Sequence, residues 1–303
     1  MPKHPWERHV FSLIMPDAIS QRVHGEIVAR MRAAGFAVRY ASLIRVAPEQ
    51  LDAVNAANIK HKWDTYHYRL LDRLFRYGPV VALIYEDVSG DADAHARVKR
   101  LKGATDPRMA ATGTIRRDLG GVNAMLALMH AADTPDRSRR EAGWFLGESV
   151  VGGESPPHGA APTGTDWSHA RTLLALLEHG APERRGFDEV LHGHRAAVLA
   201  AAWPDLSPPG RALAATALDQ GGLADDAIGP KLAETLRQGG THPGYDLLRA
   251  GWQPGQFSLT ERDLRRCVAA LELPPDPWAE MVLLTSAAFA PRRNERTVRS
   301  DAR

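Results

Sequence analysis

The sequence predicts an α+β domain built on an antiparallel sheet, followed by an all-α domain. Three observations carry this. Strand-like and helix-like apolar periods alternate over roughly the first half of the 303 residues. A Gly- and Pro-rich stretch, VVGGESPPHGAAPTGTD (150–166), then interrupts the pattern with linker composition. Beyond it the strand signals stop and only short amphipathic segments remain. The expected boundaries are a first domain at 1–149, a linker at 150–165, a helical domain at 166–290 and a polar tail at 291–303.

Taken in order, Val10 to Ile14 reads as a strand. Asp17 is the expected N-cap of a helix that carries Ile19, Val23, Ile27, Val28 and Met31 on one stripe and ends at Gly35. FAVRYASLIRV (36–46) reads as a second strand, with helical stretches at 48–58 and 66–76. GPVVALIYE (78–86) is a buried strand, and 91–101 is helical before a long loop rich in Gly, Pro and Thr. The short apolar stretch MLALMH ends at His130. DTPDRSRREAGWF then runs as a helix capped by Asp133 or Thr134. This order implies a small sandwich, an antiparallel sheet with helices on one face. In the second half, HARTLLALLEHG, DEVLHGHRAAVLAAAW, GRALAATALDQGG, IGPKLAETLRQGG, LTERDLRRCVAALEL and PWAEMVLLTSAAF read as helices, with no repeat period.

Composition narrows the class. Lys and Arg total 38 against 36 Asp and Glu, without the basic excess of a nucleic-acid binder. A single cysteine, Cys267, excludes an internal disulfide and points to a reducing, cytoplasmic setting. The N-terminus MPKHPWERHV has no apolar h-region, and no stretch approaches the roughly 18 apolar residues of a membrane span.

Four blocks carry a more specific signal: RHVFSLIMPDAISQRVHGEIVARMRAAGFAV, YGPVVALIYE, LKGATDPRMAATGTIRRD and LMHAADTPDRSRREAGWF. Their order and spacing over residues 7–148 resemble the nucleoside diphosphate kinase family. The resemblance implies a ferredoxin-like four-stranded antiparallel sheet with helices, in a homo-oligomer. It implies transfer of a γ-phosphate from a nucleoside triphosphate to a histidine and on to a nucleoside diphosphate, with Mg²⁺ accompanying the nucleotide. The nucleophile it implies is His130, supported by Glu141. Imidazole is a good nucleophile near neutral pH, and a phosphoimidazole is a good phosphoryl donor. Lys99, Thr105 and Arg116 fall on phosphate-binding positions, Lys99 replacing an arginine and losing its bidentate fork. Tyr66 or Tyr68 falls where an aromatic ring clamps the base. No protein-held metal is expected.

The departures from the family are as informative. Met15 stands in place of the lysine that reaches the transferring phosphate, Ala127 in place of an asparagine that contacts the ribose, and Ala132 in place of a serine. One extra residue lies between Arg116 and His130, and Asn123 is near but not at the matching place. Loss of one charged donor costs about 100- to 1,000-fold in rate. The altered site therefore predicts a weak kinase or one with another acceptor, unless Lys60, Lys62, Arg100 or Lys102 supplies the missing charge. The competing readings are a degenerate nucleotide-binding or regulatory module, and an interaction protein whose helical half docks a protein partner. His130 as a plain structural histidine, Thr105 and Arg116 as loop braces, and Glu141 as a helix carboxylate belong to those readings. The HGH at 192–194 reads as a polar helix edge rather than a metal site, and Trp167, Trp203, Trp252 and Trp278 as core anchors.

Overall fold

The computed structural model describes residues 6–61, 65–90, 93–151, 167–179, 184–249 and 260–293, without the side chains of 57, 58, 61 and 65–68. It divides into two compact units, the first ending at Arg184 and the second beginning at Arg185.

In the first unit the chain runs β1 (His9–Ile14), α1 (Pro16–Ser20), α2 (His24–Ala33), β2 (Phe36–Ile44), α3 (Pro48–His61), α4 (Thr65–Arg76), β3 (Val80–Asp87), α5 (Ala94–Lys102), α6 (Ile115–Asp118), β4 (Met129–Ala131), α7 (Pro135–Leu146), α8 (Glu148–Val151) and α9 (Ser168–Glu178). The four strands form one antiparallel sheet in the order β2-β3-β1-β4, as expected of a ferredoxin-like domain. Helices cover both faces rather than one. Val10, Ile14, Val81, Leu83 and Tyr85 share a core with Ile27 and Met31 of α2 and Val98 of α5. On the opposite face Phe11 stacks on Phe145 of α7 with ring centroids 5.4 Å apart. A central strand covered on both sides should be apolar at every position, and β3 (VVALIYED) is buried at all but Glu86.

Helix α9 differs from the expected division. The sequence groups it with the helical half, but Trp167, Ala170 and Leu174 join the core of the first unit. The Trp167 ring lies 5.7 Å from that of Tyr85, and Glu178 pairs with His24 at 3.2 Å. The reason is the exposed apolar area that β2 and β3 would otherwise leave beside α2. Burying it gains roughly 25 cal/mol per Å².

A second difference lies at Asp17. The expected long helix is two: Arg22 adopts φ 54°, which separates α1 from α2, and the N-cap of α1 is Met15. Asp17 is fully buried, and its Oδ2 accepts from the Leu128 backbone N–H at 2.8 Å. Leu128 is itself in the left-handed region at φ 71°, so the carboxylate braces a strained turn just before β4. Thr134 is the cap of α7 and accepts from the Arg137 N–H, which settles the open choice with Asp133.

Burial pushes the Asp17 carboxyl up from 3.8 to about 7, against the pull of the Leu128 N–H and Arg116. Between those values the folded chain holds a proton that the unfolded chain has lost. Stability therefore falls as pH rises from about 4 to about 7, by roughly 3–4 kcal/mol. Chemical denaturation of wild type and Asp17→Asn across that range should show the difference in their stabilities changing by that amount. A pH-independent difference refutes the assignment.

The named elements described in the second unit are all helices: α10 (Phe187–Ala201), α11 (Pro208–Asp219), α12 (Ile228–Ala233), α13 (Gly244–Arg249), α14 (Glu261–Ala270) and α15 (Pro277–Ala288), with short 3₁₀ turns between some of them and one isolated β-bridge joining Leu206 and Leu236. Its centre holds Arg195, fully buried and donating to the carbonyls of Leu223 and Asp225. Trp278 and, in the first unit, Trp167 are buried anchors as expected, whereas Trp203 is 41% exposed and lies over Arg211. Trp252 falls outside the described residues. The HGH segment lies on α10, and no cluster of three or more His, Cys, Asp or Glu suited to a metal occurs among the described residues. None of the described helices is long and apolar enough to cross a membrane.

Candidate functional site

The site is built around β4, the edge strand. An edge strand leaves every second carbonyl pointing away from the sheet, and burial makes each a cost unless a donor reaches it. Here the Met15 N–H donates to Leu128 O and the Ala132 N–H to Phe11 O, so the carbonyls of Met129 and Ala131 face outward. Two buried cations take them: Arg116 donates to Met129 O at 3.0 Å, and Lys102 to Ala131 O at 2.8 Å. Arg116 also donates to Ala127 O at 3.1 Å and Gly103 O at 3.0 Å, so the guanidinium ties α6, the end of α5 and the Leu128 turn together. Burial lowers the Arg116 pKa to about 10, opposed by the charges of Asp17 and Asp133.

His130 pairs with Leu13 across β1, on the sheet face that carries α7. Its Nε2 lies 2.7 Å from Oε2 of Glu141, a fully buried carboxylate on α7. Arg137, one turn earlier on α7, holds the other oxygen of Glu141 at 3.0–3.1 Å. Burial alone would raise the Glu141 carboxyl; His130 and Arg137 outweigh it and hold it below the ordinary carboxylate range. An ionised carboxylate only accepts, so Nε2 carries the ring proton in the neutral imidazole. The lone pair then sits on Nδ1, which has no partner among the described residues. The His130 side chain is 27% exposed and faces a cleft of about 200 Å³.

Met15, Thr105, Arg116, Ala127 and His130 all line this cleft, and with them Lys102, Asp133 and Arg137. Thr105 is brought there by Gly103, which ends α5 at φ 83° so close to Thr114 that a Cβ would sit 2.6 Å from its hydroxyl. Lys99 is exposed on the last turn of α5 and is not part of the cleft wall. Ala132 is buried beside β1 and is not part of it either. Asn123 is also buried, its Oδ1 accepting from the N–H groups of Met125 and Leu126 to fold the loop. The side chains of Tyr66 and Tyr68 fall outside the described residues, as does Lys62; Lys60 and Arg100 are exposed. The sequence alone did not place Arg137 or Asp133 in the site, and it offered Lys102 only as one of four sources of the missing charge. Arg137 was legible as an i, i+4 partner of Glu141. Lys102 stands four residues after the buried Val98 on the apolar stripe of α5, where a lysine is out of place.

The family model for nucleoside diphosphate kinase matches residues 8–151. A nucleoside diphosphate kinase of Halalkalibacterium halodurans is 33% identical over 141 residues, 46% of this chain and 90% of that protein. The enzyme of Mycolicibacterium vanbaalenii is 38% identical over 138 residues, 45% of this chain and 94% of its own length. The chain belongs to the nucleoside diphosphate kinase family. The structure of a halophilic nucleoside diphosphate kinase from Halobacterium salinarum in complex with CDP aligns with 46% of this chain and 87% of its own at 29% identity and a TM-score of 0.40. The family match ends at residue 151, so the helical second unit lies beyond it.

Proposed function

We propose that the first unit is a nucleoside-diphosphate-kinase-like phosphotransferase that works through a phosphohistidine at His130. The observation that carries this reading is the 2.7 Å contact between Nε2 and Glu141 at the wall of a cleft, which leaves Nδ1 as the nucleophilic nitrogen. In the forward half-reaction the Nδ1 lone pair bonds to the γ-phosphorus of a nucleoside triphosphate. The bond from that phosphorus to the β–γ bridging oxygen breaks, and its electron pair leaves on the diphosphate. The ring becomes formally cationic, and the Glu141 carboxylate on Nε2–H stabilises that charge without a proton changing hands. The reverse step, with a nucleoside diphosphate as acceptor, regenerates His130. Mg²⁺ would enter with the nucleotide as its phosphate complex. The cleft residue that fits its hydrated cation is Asp133, whose carboxyl is raised by burial but held below its ordinary value by Lys102.

The reading includes a reduced rate. Met15 and Ala127 bring a thioether and a methyl to the cleft wall, and Arg116 has three of its five N–H donors committed to carbonyls. The same observation favours a second reading, a nucleotide-binding module with little turnover. Incubation with γ-labelled ATP and Mg²⁺ separates them. The first reading expects slow acid-labile labelling, absent from His130→Asn, with slow exchange onto a nucleoside diphosphate. Nucleotide binding by calorimetry without any label selects the second, and neither binding nor label rejects both.

A further inference from the structure

Phosphoryl transfer is accelerated almost entirely by positioning and by cations aimed at the transferring group. Among the described residues three cationic side chains line the His130 cleft, and they are not equally available. Arg116 spends three donors on the carbonyls of Gly103, Ala127 and Met129. Arg137 is turned onto Glu141 through both Nε and its terminal nitrogen. Lys102 has one firm acceptor, Ala131 O at 2.8 Å, and one loose one, Asp133 at 3.3 Å, whose side chain is 44% exposed. Its own side chain is 8% exposed. A buried ammonium has three protons to satisfy, and this one has a single short hydrogen bond. Ala131 follows His130 directly in β4, so the anchor that holds Lys102 is rigidly tied to the nucleophile.

Resting on the phosphotransferase reading above, we propose that Lys102 is a catalytic residue: its ammonium, held on Ala131 O, binds the phosphoryl group moving to or from His130. Asp133 is the displaceable counter-ion, exchanged for a phosphate oxygen when substrate enters. Lys102 stays protonated throughout and adds no proton to the step. Burial beside Arg116 lowers its pKa, against the pull of Asp133 and Glu141, which fits an ammonium short of negative partners. Met15, on the wall of the same cleft, contributes no charge.

Lys102 also closes a strand-edge carbonyl, so the test must separate charge from structure. Lys102→Gln keeps an N–H donor for Ala131 and removes the charge. Two readouts on the full chain are needed, the initial rate of acid-labile labelling from γ-labelled ATP with Mg²⁺ and the calorimetric affinity for inorganic tripolyphosphate with Mg²⁺. Lys102→Gln should lower the labelling rate about 100-fold and weaken tripolyphosphate at least about tenfold. Adding Met15→Lys to that variant should recover about tenfold or more of the rate by returning a cation to the cleft. His130→Asn should lose the label and keep tripolyphosphate binding. Lys102→Gln within about threefold of wild type in both readouts overturns the assignment. So does a loss accompanied by a lowered melting temperature that Met15→Lys does not recover. If wild type takes no label, the phosphotransferase reading fails while the tripolyphosphate comparison still decides whether Lys102 meets phosphate. If wild type binds no tripolyphosphate either, both fall.

Discussion

Replacing Arg116 by alanine should destabilise the chain by about 4 kcal/mol or more. Its guanidinium donates to three backbone carbonyls contributed by the end of α5, the Leu128 turn and β4. Hydrogen bonds to a charged group contribute about 1.5–3 kcal/mol each, and a buried carbonyl left without a donor costs a further 1–3. One of the three is partly insured, because Ala127 O also accepts from the Met129 N–H. Gly103 O and Met129 O would lose the guanidinium donor outright, and Asp17 would lose a nearby positive charge. Against a total stability of about 5–15 kcal/mol, this is a shift that equilibrium denaturation resolves easily. Arg116→Lys should recover less than half of it, since an ammonium is one point and the carbonyls need a planar fork. An Arg116→Ala protein that melts like wild type but binds nucleotide poorly would reverse the assignment, making the arginine a ligand contact first and a brace second.

The second large effect should come from Glu141→Gln. The substitution preserves shape and removes the charge. The amide can offer His130 either its oxygen or its nitrogen, and an N–H facing Nε2 forces the ring proton onto Nδ1, where the lone pair is needed. It also removes the anion that balances the ring once phosphorus is attached, and releases Arg137. The labelling rate should drop about 100-fold or more, with tripolyphosphate affinity little changed. Glu141→Asp should fall between, because the shorter side chain keeps the charge but withdraws it from Nε2. Unchanged labelling by Glu141→Gln would mean that the ring is oriented by other contacts and that the pair is a structural one.

The order of strands and helices was legible because period-2 and period-3.6 patterns are local properties of the chain. The helix after His130 and the i, i+4 relation of Arg137 to Glu141 belong to the same class. Within the cleft, His130, Thr105 and Arg116 were readable from motif blocks, as were the altered positions Met15 and Ala127. What those side chains touch was not. Arg116 looks from its motif like a free phosphate ligand, and only the fold shows three carbonyls around it. Asp17 reads as a helix cap from its neighbours, yet its partner Leu128 is 111 residues away. Whether Lys102 points to solvent or to Ala131 depends on which side of α5 meets the edge of the sheet. Helix α9 was separated from its sheet by a Gly- and Pro-rich segment, and its place was decided by apolar area that β2 and β3 had left uncovered. Local periodicity sets which elements form. Edge carbonyls, buried charges and uncovered apolar faces are satisfied by whatever the fold brings near, and that is settled only in three dimensions.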